Sequence, residues 1–491
     1  MEDTGRIHRP IDARVRRMLY GRTADALIDS ELESCTRVDL AHTVMLAEAG
    51  LMEPRRAARL ASTILDLRVS GFAPLRGVPA GRGLYLLLED FLIATLGELD
   101  GGSLQLGRSR NDLSATTLRI RLRKPVAGLI QEGLRLLAVL LRRARAEAGL
   151  AMPGYTHYQV AQPITLGHYL SGIGLAAARD IRGLMAALDS MSECPLGAGA
   201  LAGTALPIQP ERTAELLGFA LPVAHSLDAV ASRDFILRLL SAAAIFGVTL
   251  SRLATDLLLW STAETGLLAF PDSLSGSSSM MPQKRNAFVL EHIQGKSMAP
   301  LGAFTAAAAA MSSKPFTNSI AVGTEAASQV WNALSQVTDA VVLARLAVRY
   351  LETRPGSMRA RAEAGYAAAT ACADALTRTG EFSFRSAHRM TGEMVTEAIA
   401  RGGVPLAEVA GPFLAAIQDL SCESVASGAE RGGGPGVESM AAILDRLDQS
   451  WRAIARWKHE TTRRWAAAER LLHEAVQRLL AQKEVQKSDA T

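Results

Sequence analysis

The chain contains five long segments with the hydrophobic spacing of an α-helix and few residues that would break one. They cover roughly 111–147, 164–190, 226–264, 287–312 and 324–350. Such lengths far exceed the mean helix of about 11–12 residues. The composition, rich in Ala, Leu and Arg and poor in aromatic residues, also favours helix over sheet. We therefore expect an all-α protein built around a bundle of long helices.

One of these segments is apolar around most of its circumference. Its apolar positions include Leu237, Leu239, Leu240, Ala243, Ile245 and Phe246. A helix of this kind needs neighbours on every side, so we expect partner subunits to complete the bundle. The sequence shows no internal repeat and no convincing strand pattern.

Breaks in the helical pattern divide the chain into expected domains, since 491 residues exceed the size at which one core keeps growing. Helical spacing extends from Asp25 to Ser70, stops at the Gly/Pro cluster 71–83, and returns over 84–98. Pro355 marks the end of the long helices, and a smaller helical region follows. The polar tail from Glu484 is expected to be disordered. The expected domains are 1–108, 109–355 and 356–491.

Charge and cysteine usage exclude several classes of function. The net charge of +4 is small for this length, and the basic run 119–124 has no aromatic platform or DNA-binding motif beside it. We interpret that run as a solvated helix face and expect no nucleic-acid partner. The four cysteines are widely spaced, without CxxC pairs or paired histidines, which predicts neither a disulfide framework nor a metal site.

The cysteine usage fits a reducing cytoplasm, and no targeting segment is recognised. The N-terminus lacks the basic-then-apolar order of a signal peptide. The longest apolar stretches, Leu239–Leu250 and Ala299–Met311, are too short to span a bilayer. We expect a soluble cytoplasmic protein with no membrane partner.

The segment Ser277–Asn286 concentrates polar chemistry, with hydroxyls, cations and amides placed around a proline. Its serines predict a flexible loop. The helical spacing after Asn286 places Lys284 near a helix start, where N–H groups favour an anion. Such a loop suits a serine that takes a proton while charge develops on a carboxylate. An ordinary Ser/Gly-rich linker has the same composition.

Two further segments carry groups that can bind a carboxylate. Ser109, Arg110 and Asn111 precede a long helix and offer a hydroxyl, a two-pronged guanidinium and an amide. A helix cap, however, uses the same residue types. Thr156 and His157 end a predicted turn, and a lone histidine in such a place is more often a packed or capping residue than a catalytic one.

Taken together, these segments resemble the motifs of the fumarase/aspartase superfamily. Ser277–Asn286 resembles its Gly-Ser-Ser-x-x-Pro-x-Lys-x-Asn loop, and Gly107–Asp112 its Gly-Arg-Ser-Arg-Asn-Asp element. Gly154–Pro163 is similar to its Gly-Tyr-Thr-His-x-Gln-x-Ala-Gln-Pro motif. Leu196–Thr204 and Ser226–Asp234 resemble argininosuccinate lyases, which favours that branch over fumarases and adenylosuccinate lyases.

The resemblance implies a three-domain, all-α homotetramer whose central bundle is completed by the partner subunits, with each active site built from three chains. It implies a β-elimination that uses no metal or other cofactor and releases fumarate from an N-substituted aspartate, a small dicarboxylate substrate. The family's base falls on Ser278, its histidine on His157, and the glutamate that orients this histidine on Glu291. The other implied site residues are Ser109, Arg110, Asn111, Thr156, Gln162, Ser279, Lys284 and Asn286.

The serine loop departs from the family at one position. The family glycine falls on Ser277, and Gly276 stands one residue earlier. Glycine tolerates backbone angles that serine does not. Either the loop accepts a serine there, which makes Ser278 the base, or it slips by one residue, which makes Ser277 the base. We expect Ser278.

The expected pocket for the amine half of the substrate departs further. Argininosuccinate lyases place there a tyrosine, a glutamine and a lysine, and a register shifted by one residue restores none of them. Counted without gaps from Lys296, these positions are Asn318, Gly323 and Ala326. Leu106 replaces a hydroxyl residue beside the carboxylate-binding segment. Each lost hydrogen bond to a charged group costs ~1.5–3 kcal/mol, so we expect an altered amine pocket that includes Leu106 and Asn318.

The sequence is compatible with three functions. The first is a fumarate-releasing lyase that acts on an N-succinyl amine other than argininosuccinate, or that adds an amine to fumarate in reverse. The second is argininosuccinate lyase itself, with arginine bound by other residues. The third is a catalytically silent structural homologue, against which the retention of Ser278, His157, Lys284 and Asn286 argues.

Overall fold

The computed structural model describes residues 28–80, 83–410 and 419–488, with side chains described as far as Ala481. Residues 25–27, with which the first predicted helical segment begins, lie outside the described residues. The last three residues of the predicted tail, 489–491, also lie outside them.

The fold is all-α, as the sequence predicts. In the first half of the chain the helices are α1 (Glu33–Glu48), α2 (Pro54–Val69), α3 (Leu84–Leu96), α4 (Glu98–Gly101), α5 (Arg110–Ala146), α6 (Leu166–Asp189), α7 (Pro210–Leu217), α8 (Ser226–Ala231) and α9 (Asp234–Trp260). In the second half they are α10 (Phe288–Ser297), α11 (Ala299–Met311), α12 (Val330–Tyr350), α13 (Pro355–Ala364), α14 (Ala369–Arg378), α15 (Phe384–Ala400), α16 (Leu406–Val409), α17 (Cys422–Gly428) and α18 (Val437–Ser488).

Short antiparallel strand pairs connect some of these helices, and the expectation of no strands was wrong. The pairs are β1 (Ala151–Thr156) with β2 (Gln159–Thr165), β3 (Leu268–Ala269) with β6 (Glu352–Thr353), and β4 (Gly276–Ser277) with β5 (Arg285–Asn286). Two-residue strands are too short to show an alternating pattern. The prolines and glycine of β1 and β2 conceal that pattern in the longer pair.

The long helices pack into one central core. Its fully buried residues include Leu137 on α5, Ile181 on α6, Phe246 on α9 and Val341 on α12. Helix α9 approaches α10 so closely that a Cβ on Gly247 would lie 2.0 Å from the carbonyl oxygen of Ser297. Only glycine permits this approach, which places α10 and the serine loop before it against the bundle.

Three predicted helices are interrupted where the sequence suggested continuity. The segment 226–264 breaks between α8 and α9, where Arg233 leaves the helical conformation. The segment 287–312 breaks at Met298, because Pro300 in the first turn of α11 cannot continue the preceding helix. The segment 324–350 begins as helix α12 only at Val330, after a π-helical turn over Ala321–Ala326.

The last helix, α18, is 52 residues long and joins two cores. Leu447 and Ile454 pack in the central core, whereas Leu472 and Val476 pack with α1–α3 in the N-terminal core. The sequence predicted only a smaller helical region there. The helix extends to Ser488, and the disordered tail stays a prediction. The domain limits 1–108, 109–355 and 356–491 remain a prediction.

Two bundle helices leave apolar surface uncovered in the single chain. On α9, Ile245 is 56% exposed and Val248 is 46% exposed. On α11, which is almost entirely apolar, only Pro300 and Ala307 are buried. These faces match the predicted need for neighbours from other subunits.

Helix α9 is also the one described helix long and apolar enough to cross a membrane by length and composition. However, 56% of its most apolar window is buried inside the protein. It contacts α6, α10, α11 and α12. These contacts identify it as the core helix of the bundle.

Candidate active site

The first predicted carboxylate-binding segment forms the start of α5. Ser109 is the N-cap, since its Oγ accepts from Asn111 N at 3.3 Å and its N–H donates to Asp112 Oδ1 at 2.9 Å. This reciprocal pair satisfies backbone donors that a helix start leaves unpaired. The helix-cap interpretation is therefore correct for Ser109, although a cap can also contact a ligand.

Asp112, which the sequence analysis did not single out, ties a second loop to this helix start. Its Oδ2 accepts from Gly197 N at 3.1 Å and from Gly199 N at 2.9 Å. Burial raises the pKa of Asp112, and the N–H groups that donate to it oppose this shift. The loop that resembles argininosuccinate lyases at Leu196–Thr204 is thereby held beside Ser109.

Arg110 is the first residue of α5, and its side chain is exposed. A cation at a helix N-terminus opposes the helix dipole. Among the described residues no carboxylate forms an ion pair with it. An arginine in this position is suited to an external anion, in agreement with the predicted role.

Asn111 forms a hydrogen bond with Asn318, which connects the carboxylate-binding segment to the expected amine pocket. Its Oδ1 accepts from Asn318 Nδ2 at 2.8 Å, and its Nδ2 donates to the carbonyl of Ala200 at 3.0 Å. The second N–H of the Asn111 amide remains available to a substrate carboxylate. Leu106 packs against the N-terminal core, and its carbonyl oxygen lies 2.8 Å from His42 Nε2.

A buried ion pair anchors the residues just before this helix start. Arg108 Nη2 donates to Asp39 Oδ1 at 2.6 Å and to the hydroxyl of Tyr85 at 2.8 Å. The side chains of Arg108 and Asp39 are fully buried. The position of Ser109–Asn111 thus depends on the N-terminal core, which the sequence analysis did not foresee.

We expect Asp39→Ala to lower the free energy of unfolding by about 3–5 kcal/mol, because it leaves the Arg108 guanidinium buried without its partner. Urea unfolding followed by circular dichroism measures the loss. Asp29→Ala is the matched control, since the Asp29–Arg76 pair is largely exposed, and exposed pairs contribute about 0–1 kcal/mol. Equal losses of unfolding free energy in the two variants would show that the buried pair stabilises the fold no more than the exposed pair does.

His157 lies in a turn, as predicted, but this turn is the tip of a β-hairpin and does not deliver His157 to the end of the helix predicted to start near Ile164. Thr156 pairs with Gln159, which leaves the two-residue loop His157-Tyr158. Their φ angles are 51° and 62°, as in a type I′ turn, which normally takes Asn-Gly. Both side chains are exposed. Backbone strain at non-glycine residues is typical of functional sites.

Gln162 lies farther along the same hairpin and is exposed. It borders a cleft that is also lined by Thr370 and Asp374 of α14 and by Asp419 and Ser424 near α17. In the single chain, Gln162 therefore faces the C-terminal helices. Its predicted contact with substrate stays a prediction.

The serine loop closes as a second hairpin. Gly276 pairs with Asn286 and Ser277 with Arg285, so Ser278 is the first residue beyond the strand pair. The Oγ of Ser278 accepts from Met280 N at 3.3 Å and from Met281 N at 3.0 Å. Two N–H groups aimed at one hydroxyl oxygen stabilise negative charge on it. This geometry favours Ser278 over Ser277 as the base.

The other predicted residues of this region lie around the loop. Asn286 ends β5 two residues before α10, as expected for a helix start. Lys284 and Ser279 are exposed in the loop, and Glu291 is exposed in the first turn of α10. Arg285 Nη2 donates to the carbonyl of Phe270 at 2.6 Å, which fixes the base of the hairpin.

Some of the predicted site residues contact each other in the structure, and others do not. Within the described parts of a single chain, no hydrogen bond or ion pair links the serine loop, the turn at His157 and the start of α5. Asn111 and Asn318 are the predicted site residues from distant segments that do meet. The pairing of Glu291 with His157 stays a prediction that depends on partner subunits.

The cysteines lie outside these segments. All four are free and buried, and burial raises the pKa of Cys194 to about 12. Among the described residues, no group of three or more His, Cys, Asp or Glu side chains is arranged to hold a metal ion.

Comparison with known protein families gives two matches along the chain. A family model described as Lyase matches residues 92–302, and one described as Argininosuccinate lyase C-terminal matches residues 366–427. Argininosuccinate lyase 1 of Shouchella clausii is 35% identical over 74% of each chain. Argininosuccinate lyase of Methanocorpusculum labreanum is 36% identical over 80% of this chain and 79% of its own.

Solved structures agree with this assignment. An EDDS lyase in complex with formate superposes with a TM-score of 0.85, at 28% identity over 93% of each chain. The class II fumarase of Schistosoma mansoni gives a TM-score of 0.70 over 86% of this chain and 98% of its own, at 18% identity, which shows the shared fold alone. The chain is thus a carbon–nitrogen lyase and belongs to the argininosuccinate lyase branch of the fumarase/aspartase superfamily.

Proposed function

We propose that the protein releases fumarate from an N-substituted aspartate whose amine half is not arginine, or adds that amine to fumarate in the reverse direction. The proposal rests on the residue types at Asn318, Gly323 and Ala326. These residues offer no phenol, long amide or ammonium group where argininosuccinate lyases are expected to have them. An EDDS lyase with bound fumarate among the solved neighbours supports fumarate as one product.

The chemistry would be a β-elimination. Ser278 would act as its alkoxide, a form that the N–H groups of Met280 and Met281 stabilise. Its Oγ takes the proton from Cβ of the aspartate half and becomes a neutral hydroxyl. The electrons collect on the adjacent carboxylate, which Lys284, Asn286 and backbone N–H groups hold. The C–N bond then breaks, the C=C bond of fumarate forms, and His157 or a group that it positions protonates the leaving nitrogen.

Ser109, Arg110 and Asn111 would bind the second carboxylate of the aspartate half. The capping bonds of Ser109 fix the segment, and Arg110 presents its guanidinium at the end of a 37-residue helix. Thr156 and Gln162 would contact the substrate from the hairpin that carries His157. These roles follow the family resemblance and agree with the exposure of Arg110, Thr156 and Gln162.

We expect Arg110→Lys to lower kcat/KM about 10-fold or more, almost as much as Arg110→Ala, because a lysine supplies a point charge and not a two-pronged fork. Steady-state kinetics with the substrate identified below measures the effect. Arg142→Lys, an exposed arginine on the same helix, is the control and is expected to be neutral. Kinetics like those of the unmodified enzyme for Arg110→Lys would reduce Arg110 to a helix-capping residue.

At the three compared positions, the expected amine pocket lacks the phenol, long amide and ammonium groups of argininosuccinate lyases. Asn318 donates to Asn111, Gly323 has no side chain, and Ala326 is fully buried in the bundle. A methyl group on a buried position cannot replace an ammonium group that binds a substrate. The amine half is therefore expected to be less cationic than arginine, or to present its charge elsewhere.

The assembly is proposed to be a cytoplasmic homotetramer. The exposed apolar residues of α9 and the uncovered surface of α11 supply the faces that partner chains would cover. The absence of bonds between the serine loop, the His157 turn and the start of α5 in the described chain fits a site shared by three subunits. Sedimentation equilibrium tests the tetramer directly.

A fumarate assay tests the proposed function. The purified protein is supplied with argininosuccinate and with a panel of N-succinyl amines, and fumarate is followed by its ultraviolet absorbance. Release from another N-succinyl amine supports the proposal. Release from argininosuccinate alone would favour the second candidate, which the curated relatives named argininosuccinate lyase support. No release from any of them would favour a structural homologue.

A further inference from the structure

A buried histidine of α1 lies against the segment that precedes the carboxylate-binding residues. His42 is 1% exposed. Its Nε2 lies 2.8 Å from the carbonyl oxygen of Leu106, which comes shortly before Ser109. Because a carbonyl oxygen only accepts hydrogen bonds, Nε2 carries the proton and donates it. Within the described residues, no other group donates to this carbonyl.

His42 is a neutral imidazole that takes no part in proton transfer. Burial, and to a lesser extent the charge of Arg108, lowers the pKa of His42 to about 3. Since Nε2 carries the proton of the neutral ring, Nδ1 has only a lone pair, and it is buried without a hydrogen-bond partner. A ring that stays neutral and is closed off from solvent does not exchange protons with a substrate. Its useful feature is the fixed N–H donor.

Other buried polar atoms near His42 also lack a hydrogen-bond partner. They are Oδ2 of Asp39, Oγ1 of Thr43, and Nε and Nη1 of Arg108. Polar atoms that are buried without partners destabilise a fold. Apolar residues of similar volume in place of a buried polar network are often neutral or stabilising. Stability therefore does not account for the polar residues at this place, and a role in the site requires consideration.

Two bonds from α1 hold the turn before α5. Asp39 and His42 are three residues apart and lie on one face of the helix. Asp39 binds the side chain of Arg108, whereas His42 binds the backbone of Leu106. The guanidinium is at the end of a long side chain with several rotatable bonds. The imidazole bond is therefore the one that fixes the backbone itself.

The turn transmits this constraint to the start of α5. Gly107 follows Leu106 with a φ of 71°, and a Cβ on Gly107 would lie 2.7 Å from Ile208 Cγ2. The turn is thus enclosed by α1 and by Ile208, and it leads directly to the N-cap residue Ser109. A shift of the Leu106 backbone would displace the first turn of α5. Misplacement of a binding group by about 1 Å can cost ~10²-fold.

We propose that His42 is a positioning residue, whose N–H bond to the Leu106 carbonyl holds Ser109–Asn111 where these residues bind a dicarboxylate. The role is in binding and not in chemistry, because the imidazole does not touch the substrate. This inference rests on the proposed function, which assigns Ser109–Asn111 to the second carboxylate of the aspartate half.

Two amide replacements that differ in length test the inference. The amide nitrogen of glutamine is as many bonds from Cβ as His42 Nε2 is, whereas the amide nitrogen of asparagine matches only Nδ1. Fumarate is titrated calorimetrically into the full-length protein. We expect His42→Asn to bind fumarate at least ~10-fold more weakly than the parent protein. His42→Gln, which restores the N–H donor, is expected to stay within about 3-fold of the parent.

Two further variants separate positioning from folding. His168→Asn is the matched control, because His168 Nε2 also lies 3.0 Å from a backbone carbonyl oxygen, that of Gly433, in a contact between α6 and the loop before α18. It is expected to bind fumarate like the parent. His42→Phe keeps a ring, removes the donor, and is expected to behave like His42→Asn. Urea unfolding and sedimentation of each variant detect a loss of fold or assembly.

The inference is overturned if His42→Asn or His42→Phe, folded and assembled, binds fumarate like the parent. It is also overturned if His42→Gln or His168→Asn weakens binding as much as His42→Asn, or if neither donor-free variant folds. If one of these two does not fold, the other decides the question.

Arg110→Ala in the same titration separates this inference from the proposed function. If Arg110→Ala weakens fumarate binding and His42→Asn does not, only the role of His42 fails. If Arg110→Ala also binds fumarate like the parent, the carboxylate-binding role of Ser109–Asn111 fails with it. A parent protein that does not bind fumarate contradicts both proposals.

Discussion

Replacement of Ser278 by alanine is expected to reduce turnover at least ~10³-fold, the scale for removing a group that acts in the transition state. Ser278 is the first residue beyond the β4–β5 pair, and its Oγ accepts hydrogen bonds from Met280 N and Met281 N. These N–H groups stabilise the alkoxide form in which a serine can act as a base. Initial rates of fumarate formation measure the loss, and circular dichroism and sedimentation verify that fold and assembly persist.

Ser277→Ala is the matched control for this prediction. Ser277 is exposed and lies within β4, where it pairs with Arg285. Its hydroxyl accepts no hydrogen bond in the described structure. We expect Ser277→Ala to retain most of its activity. If Ser277→Ala is the inactive variant and Ser278→Ala is active, the loop is shifted by one residue and Ser277 is the base.

Argininosuccinate is expected to be a poor substrate, with kcat/KM at least ~10²-fold below the ordinary enzyme range of ~10⁴–10⁸ M⁻¹s⁻¹. The segment 318–326, where this pocket is expected, contains no tyrosine, glutamine or lysine, and each lost hydrogen bond to a charged group costs ~1.5–3 kcal/mol. The guanidinium of the substrate would also enter a region that contains the buried cations Arg233 and Arg119. Steady-state kinetics of fumarate release from argininosuccinate measures this value.

One result would contradict the prediction that argininosuccinate is a poor substrate. Cleavage of argininosuccinate within the ordinary range would show that residues outside 318–326 bind arginine, and the enzyme would then be an argininosuccinate lyase. A substitution that restores polarity provides a control. Asn318→Tyr is expected to raise activity on argininosuccinate if this segment forms the pocket, and to leave it unchanged if the segment lies elsewhere.

The sequence predicted the helical class, the family and the positions of the motifs, because these depend on residues that are close together in the chain. Helical spacing is a local property, so α5 and α6 begin and end within two residues of their predicted limits. The break at Pro300 could also have been predicted, since proline disrupts the preceding turn. The β1–β2 hairpin could not, because its prolines and glycine hide the strand pattern.

Tertiary structure alone decided which distant residues meet. Asn111 and Asn318 are 207 positions apart, and the partners Arg108 and Asp39 are 69 apart. In the sequence, Arg233 is only one residue of a segment that resembles argininosuccinate lyases. Its incomplete hydrogen bonding and its position near Gly323 are seen only in the folded structure. Local spacing determines helices and loops, whereas burial and the pairing of polar groups depend on how those helices pack. The sequence therefore specifies a lyase of this family, whereas the packing of its side chains determines the shape and charge of the region where the amine pocket is expected.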